Sequence, residues 1–431
     1  MDVAFLLVML ERIQERRWLC IPRLAVWPVV FLLGCVSWWA TQPEPPFATA
    51  FTAEHWSFME HQFPSAILQW ARGERLFFLG SLLLGFWASV DLGRSKTFRS
   101  RTGLIVAANG IAVTLYALGQ RWFGLPYPFW VEIAGSTEAY DVCFFHHSGP
   151  PACLDFAWPL LVFREWQKDT VKPNIVAATV VLPILILSIP IWKSESAWAV
   201  ASLLLFCGFV WLFIAHRQPI NPALPLASFA LLFLAAFSCQ TIAVLSMRAH
   251  KADSWKNASL AAAQAPERDE QLRALIRLRG DHLVTSSAQP RPVAWLAGTR
   301  MAQDHPLIGL GPGSWVRQAV LYSNEPVMHT FYQHRQFAHH DLLQTAAEWG
   351  CLPAIAWLLL WIGGIHRASR RILTEGPNDI GLVVALVGIA LHSLVHFPLQ
   401  VPALQIWTAI ALGLAWSRRS PARGPSQAKP A

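Results

Sequence analysis

In this chain of 431 residues, 54% are hydrophobic and only 14% are charged, against roughly 25% charged in an average soluble chain. One soluble core could not hide that much apolar surface, and disorder, coiled coil and collagen are excluded by the same composition. The 22 Trp residues are of the type that collects at membrane–water boundaries, so the fold class is an all-α polytopic integral membrane protein. The formal net charge of +8 is then first a matter of topology, and no nucleic-acid partner is expected. The seven Cys show no CxxC and no close Cys/His spacing, so no metal is expected.

In chain order, residues 1–23 read as a cytoplasmic N-terminal interfacial segment. The apolar run Met1 to Leu10 is too short to span, has no basic stretch before it and no small-residue cleavage site after it, and leads into the basic stretch Glu11 to Arg17. Residues 24–245 hold seven apolar segments of spanning character: Leu24–Ala40, Leu76–Leu92, Gly103–Gln120, Leu154–Trp166, Pro173–Trp192, Trp198–Ala215 and Ala223–Leu245. The fourth is the weakest, being short. Residues 351–417 hold three more, Cys351–Ile365, Ile380–Phe397 and Val401–Trp416, which makes about ten transmembrane helices. Pro398, Leu399 and Gln400 join the last two in a tight hairpin.

Residues 246–350 form the one long loop, built of short helices. Asn257 to Arg279 is helical in composition. A Pro-bounded helix over Val293 to Gln303 follows, then a glycine turn, then a helix that starts near His339 and runs on into the eighth span. Residues 418–431 read as a disordered, basic, cytoplasmic tail.

Orientation follows from Lys and Arg in the short flanks. With a cytoplasmic N-terminus, 19 lie inside and only Arg72, Arg75, Arg121 and Lys193 lie outside. The remaining 11 are in the long loop, which translocates regardless of charge. Both termini are then cytoplasmic and the long loop is extracytoplasmic. Cys143 and Cys153 share an outer loop in a disulfide-permissive compartment, where a bridge and two free thiols remain equally open.

Asp304-His305-Pro306-Leu307-Ile308-Gly309-Leu310-Gly311-Pro312-Gly313 breaks the hydrophobic pattern, and Phe337-Ala338-His339-His340-Asp341-Leu342-Leu343-Gln344 and Glu348-Trp349-Gly350 follow it just before a span. Gly309, Gly311 and Gly313 permit a tight turn, which either presents N–H groups to an anion or serves the backbone alone. His339 sits on a rigid element at the membrane's outer boundary, where an imidazole can accept a proton at neutral pH. Arg291 and Arg300, nine residues apart, fall on opposite sides of one helix unless Pro292 starts that helix and leaves Arg291 outside it. Arg suits bidentate phosphate contact; Arg335 and Arg317 are weaker candidates, by position. His392 and His396, four apart in the ninth span, share a face, and structural hydrogen bonding is the favoured reading for them.

The paired motifs, in this order between two late spans, resemble the O-antigen ligase/O-antigen polymerase superfamily of membrane glycosyltransferases. The resemblance is strong over Arg291 to Trp361, including an Arg shortly before a Trp, here Arg291 and Trp295. It implies a GT-C-like membrane enzyme that moves a glycan from an undecaprenyl-diphosphate carrier to a hydroxyl on a lipid A-core, glycan or protein acceptor. The site would lie at the outer face of a bacterial inner membrane, and the reaction would be inverting, without metal or cofactor. His339, Arg291 and Arg300 become catalytic candidates, with His340, Asp341, Gly311, Gly313, Arg335, Gln344 and Glu348 in contact with substrate.

The sequence departs from the family pattern at His340, where Asn is usual, at Leu342, where an aromatic is usual, and at Trp349-Gly350, where a smaller pair stands. Lys193-Ser194-Glu195-Ser196 and His146-His147-Ser148-Gly149 stand where the family has an Arg-bearing and an Asn-rich motif. A polymerase of the same superfamily, a catalytically silent relative and a transporter or flippase-like protein are the alternative readings. A transporter would cluster polar residues at the midplane on broken helices, rather than in one outer loop.

Overall fold

The computed structural model describes residues 9, 11, 22–41, 72–123, 149–162, 290–322, 337–394 and 396–418. Among the described residues the chain is helical and without strands. The elements are α1 (Arg23–Thr41), α2 (Arg72–Leu92), α3 (Lys96–Phe123), α4 (Gly149–Val162), α5 (Pro290–Asp304), α6 (Trp315–Gln318), α7 (Asp341–Trp349), α8 (Cys351–Glu375), α9 (Ile380–His392) and α10 (Pro402–Trp416). Short 3₁₀ turns at Ala319–Tyr322, Pro377–Asp379 and Pro398–Gln400 link them.

Among the described residues three helices are long and apolar enough to cross a membrane: Arg23–Thr41, Lys96–Gly119 and Cys351–Glu375. The stretches Leu76–Leu92, Ala152–Leu161, Ile380–His392 and Pro402–Trp416 are apolar but shorter. These seven coincide with expected spans one to four and eight to ten. The expected spans over residues 173–245, the helix over Asn257 to Arg279, Lys193 to Ser196, His146 and His147, Arg335, Cys143 and the basic tail beyond Arg418 all lie outside the described residues.

Two prolines sit where a helix tolerates them, whereas Pro28 and Pro159 lie inside α1 and α4. Pro353 is in the first turn of α8 and Pro402 opens α10, positions whose N–H would have no intrahelical partner. Small residues let the helices approach closely, as membrane helices require. A Cβ on Gly363 would lie 2.4 Å from the Trp416 ring, one on Gly413 2.5 Å from Ser89 Cβ, and one on Gly110 2.6 Å from Ala157 Cβ. Trp416, held in its slot by a 2.8 Å bond from Nε1 to the Leu360 carbonyl, thus locks α10 to α8, while α2 packs on α10 and α4 joins α3 to α9. Leu83, Phe86, Leu360, Leu386, Leu412 and Trp416 are among the residues of this core.

Two polar belts mark the ends of the bundle. At one end, Asp379 is 1% exposed. It pairs with Arg99 at the start of α3 and, at 2.5 Å, with Arg371 near the end of α8. Both arginines also donate to carbonyls at the end of α10, Arg99 to Leu414 at 2.7 Å and Arg371 to Ala415 at 2.7 Å and Ser417 at 2.8 Å. Flanks that the charge count assigns to one side therefore meet. At the other end, Trp39 of α1 donates from Nε1 to the Ile308 carbonyl at 2.9 Å, fastening the glycine-turn segment to the first span.

Three boundaries differ from expectation, each for a local reason. The helix carrying the arginines starts at Pro290, not Val293, so Arg291 lies within its first turn; a proline there breaks no hydrogen bond. The helix after His339 does not run into the eighth span, because Gly350, at φ 80°, interrupts it. The ninth span ends as a helix at His392, five residues before Phe397, and the chain turns there ahead of the expected hairpin.

Asp379→Ala would leave the buried Arg371 and the part-buried Arg99 guanidinium groups without their carboxylate, a loss of about 3–5 kcal/mol for a broken buried pair. Thermal unfolding in detergent should show a large drop for Asp379→Ala. Arg94→Ala, at a site 44% exposed, should stay close to wild type.

Candidate active site

α7 is a short helix with a polar buried face. Asp341, Gln344 and Glu348 are all 2% exposed or less, and their spacing puts them on neighbouring positions of one side. Buried polar groups need partners, and each has them. The Glu348 carboxylate accepts N–H bonds from Gly313 at 2.9 Å and Trp315 at 3.1 Å. It also accepts from Gln344 Nε2 at 3.3 Å. The Gly311 N–H donates to the Glu348 carbonyl at 2.7 Å. Gln344 Oε1 accepts from the Ala338 N–H at 2.9 Å. Gly311, Gly313, Gln344 and Glu348 are therefore brought together, and the two glycine amides face Glu348.

The break between α7 and α8 has the same origin. Gly309 and Gly350, at φ 64° and 80°, are in the left-handed region and cross at backbone contact. A Cβ on Gly309 would lie 2.3 Å from the Glu348 carbonyl, and one on Gly350 2.6 Å from the Gly309 nitrogen. The close crossing lets the Pro306 and Leu307 carbonyls accept from Cys351 and Leu352 at 2.7 and 3.0 Å. Those bonds satisfy amides at the start of α8 that would otherwise be orphans.

The two histidines take different parts. His340 is the N-cap of α7, in extended conformation, with Nδ1 accepting the Leu343 N–H at 3.2 Å. That is the bond an Asn side chain makes at a cap, so the imidazole does the capping work of the amide usual in the family. Burial lowers the proton affinity of His340, against a smaller opposing backbone contribution, which favours the neutral ring that capping needs. His339 adopts φ 52°, the one described non-glycine residue with positive φ. The conformation carries strain, of order 1–3 kcal/mol for such outliers, and strain of this kind clusters at functional sites. Its ring is 4% exposed. It meets Phe397 edge-on at a centroid distance of 4.9 Å and His396 at 5.1 Å, while Phe337 stacks on Phe397 at 4.1 Å.

The arginines part company. Trp295 of α5 donates from Nε1 to the Ala338 carbonyl at 3.0 Å and meets the His340 ring at 5.7 Å. Arg291 lies one turn earlier on the same side of α5, so the start of this helix is the end held beside the histidine turn. Burial lowers the proton affinity of Arg291, although an arginine keeps its charge at any ordinary pH. Arg300 lies nine residues on, about 14 Å along the axis, and donates to the Tyr322 carbonyl at 3.0 Å. Arg291 thus lies at the end of α5 that Trp295 ties to the histidine turn, and Arg300 at the other end. Arg317 lies in α6.

Asp341 ties this junction to the last two spans. Its Oδ2 accepts from the Leu399 N–H at 2.8 Å and its Oδ1 from Gln400 Nε2 at 3.2 Å. Its own N–H donates to the Ser393 and His396 carbonyls at 2.8 and 3.2 Å. Burial pushes its pKa from 3.8 to about 7; the donated hydrogen bonds oppose the rise, and the nearby Glu348 charge adds to it.

Residues 180–358 match the family model described as O-antigen ligase. This stretch is O-antigen ligase-like and supports a place in the O-antigen ligase/polymerase superfamily. No curated protein matches the chain. The matched range includes Arg291, Arg300, the glycine turn, the histidine turn and α7. It leaves out α4 and the segment from α9 to the hairpin, which carries His396 and Phe397 beside His339.

Sequence reasoning missed Asp155. It lies in the weak fourth span and is 1% exposed, with Oδ2 2.7 Å from His392 Nδ1. A lone Asp in an apolar helix is a functional candidate by default, and that was the available signal. Among the described residues no group of three or more His, Cys, Asp or Glu is arranged to hold a metal ion.

Two predictions follow from the cap and the buried carboxylate. His340→Ala should cost about 1 kcal/mol, the usual value of an N-cap, and His340→Asn should restore it; thermal unfolding of the two variants measures the difference. For Asp341, the folded chain between pH about 4 and about 7 holds a proton that the unfolded chain has released. Its contribution therefore falls as pH rises through that window and is level above it. Asp341→Asn should flatten this part of the stability–pH curve, whereas an unchanged slope in the variant would place the titration elsewhere.

Proposed function

We propose that the protein is an O-antigen ligase-like glycosyltransferase of the inner membrane. In this reading it transfers a glycan from an undecaprenyl-diphosphate carrier to a hydroxyl acceptor at the outer face. The residues 246–350 loop is then periplasmic, both termini are cytoplasmic, and about ten spans hold it. The observation that carries the reading is the junction itself. A strained, buried His339 and the arginine-bearing start of α5 are fastened together by Trp295, within the stretch that matches the family.

The chemistry follows from those groups. His339 takes the proton of the acceptor hydroxyl. The oxygen attacks the anomeric carbon from the face opposite the diphosphate, and the new C–O bond forms as the bond to the diphosphate oxygen breaks. The electron pair leaves with the carrier diphosphate, and configuration inverts. Arg291 offsets the charge growing on that leaving group. Arg300 acts from the far end of α5, where it bonds the Tyr322 carbonyl. Asp341, Gln344, Glu348, Gly311 and Gly313 hold the substrate's surroundings in shape, and His340 caps the helix beside it. The acceptor is a lipid A-core, a glycan or a protein hydroxyl. A polymerase of the same superfamily would use the same junction with a glycan as acceptor.

The test is glycan transfer by purified protein in nanodiscs, with lipid-linked glycan extracted from cells lacking the gene as donor. His339→Ala should lose about 10²–10⁴-fold, the usual contribution of a positioned base, with thermal stability retained. Arg291→Lys should cost more than Arg300→Lys, because a fork facing diphosphate is not replaced by a point charge. Wild-type transfer by His339→Ala would remove the base from this reading.

A further inference from the structure

The knot around Asp379 gathers more positive charge than it cancels. α8 and α10 meet where the Trp416 ring lies against Gly363 and Gly364. Arg367 follows one turn later on α8, and Arg418 two residues later on the chain that leaves α10. The Arg367 guanidinium accordingly feels the charges of Arg418 and Arg371, which repel it, more than that of Glu375, which attracts it. A third arginine comes from the turn between α2 and α3. Ser417 Oγ lies 3.1 Å from the Gly93 carbonyl, and a Cβ on Gly93 would lie 2.9 Å from Ser417 Cβ. Arg94 and Arg418 therefore branch from backbone segments in contact.

The carboxylates of this corner do not neutralise it. Asp379 already serves Arg99 and Arg371, and Asp91 lies 3.9 Å from Arg94. Among the described residues the Arg367 and Arg418 guanidinium groups have no ion pair or hydrogen bond. Like charges held close together repel unless an anion lies between them. Depth selects the anion. Arg367 lies sixteen positions and Arg371 twenty positions after Cys351, about 24 and 30 Å along the helix axis. The hydrocarbon core of a bilayer is about 30 Å thick. With the start of α8 at the boundary beside the histidine turn, these arginines stand at the headgroup level of the opposite leaflet. Arg367 is half-buried and Arg418 exposed, which suits side chains whose stems lie along apolar surface while their heads reach the boundary.

We propose that Arg367, Arg418 and Arg94 hold the phosphate of one anionic phospholipid in the leaflet at this end of the bundle. The lipid site is separate from the transfer chemistry and does not depend on His339. A guanidinium fork matches two phosphate oxygens, and the acyl chains keep that phosphate at the depth the arginines reach. Charge bias between the two sides accounts for arginine in these flanks. It does not require arginines of three separate elements to gather about the ends of α8 and α10. Bound there, the lipid would join the α2–α3 turn, α8 and the end of α10, and so add to the stability of the bundle.

The experiment is thermal unfolding of the purified full-length protein in a neutral detergent, titrated with dioleoylphosphatidylglycerol, dioleoylphosphatidylcholine or inorganic phosphate. The wild type should unfold at a higher temperature as phosphatidylglycerol is added, with saturation, and should not respond to the other two. Each basic side chain near an anionic headgroup is worth about fivefold in affinity. Arg367→Gln/Arg418→Gln should therefore need roughly 25-fold more phosphatidylglycerol for half the shift. Arg101→Gln removes an exposed charge of the same flank from α3 and should keep the wild-type midpoint. If the double variant does not fold, Arg418→Gln, at an exposed position past the last helix, should raise the midpoint about fivefold. A wild-type midpoint in the double variant or in Arg418→Gln, or a loss in Arg101→Gln as large as theirs, would make these arginines a diffuse flank and overturn the proposal. An equal response to phosphatidylcholine would do the same, and a response to inorganic phosphate alone would assign the corner to a soluble anion instead of a lipid. No transfer assay enters, so the outcome stands apart from the role of His339.

Discussion

A carboxylate taken out of water must be met by donors, and α7 buries two of them on one side. Much of what surrounds the site depends on that requirement. Glu348 draws in the amides of Gly313 and Trp315, which folds the glycine turn back over the helix. Asp341 draws in Leu399 and Gln400, which brings the α9–α10 connection against the start of the same helix. Gln344, between them, holds the amide of Ala338. The histidine turn is thereby fixed from both sides by a helix of nine residues, which by itself would be too short to be stable in water. Its rigidity comes from these bonds and from the bundle behind it.

The fold was legible in the sequence to the extent that hydrophobic periodicity and charge bias determine it. The apolar segments among the described residues fall on helices, and Arg99 and Arg371, placed on one side by the charge count, meet around Asp379. The boundaries at Gly350 and His392 were not legible, because an apolar run has no mark of where a helix must stop for a distant backbone segment. Gly350 ends α7 because Ile308 and Gly309 lie against it, over forty positions away in sequence. Only a three-dimensional contact could reveal that.

The site was legible in part for a similar reason. His339 and Arg291 stand in motifs, and Trp295, one turn after Arg291, bonds the carbonyl next to His339. Arg300 belongs to the same motif stretch, yet its guanidinium serves Tyr322, since a helix separates residues nine apart onto opposite sides. At His340, where the family usually has Asn, the amide contact could be lost or replaced by imidazole. The ring nitrogen takes up the cap bond, because Nδ1 of a neutral imidazole and Oδ1 of Asn sit at similar reach from the backbone. Asp155 and its link to His392 could not be paired from sequence, being 237 positions apart.

The central claim is that the carrier's diphosphate docks where the start of α5 meets the histidine turn. A polyprenyl diphosphate bearing a photoreactive group close to the phosphates, bound to the protein in nanodiscs and irradiated, tests this directly. Mass spectrometry of the crosslinked peptides should locate the label within residues 290–296 and 337–341, and free undecaprenyl diphosphate should compete it away. Labels confined to the middle of α3, α4 or α9, with none at these two segments, would contradict the claim and favour a passage through the bundle over transfer at its outer end.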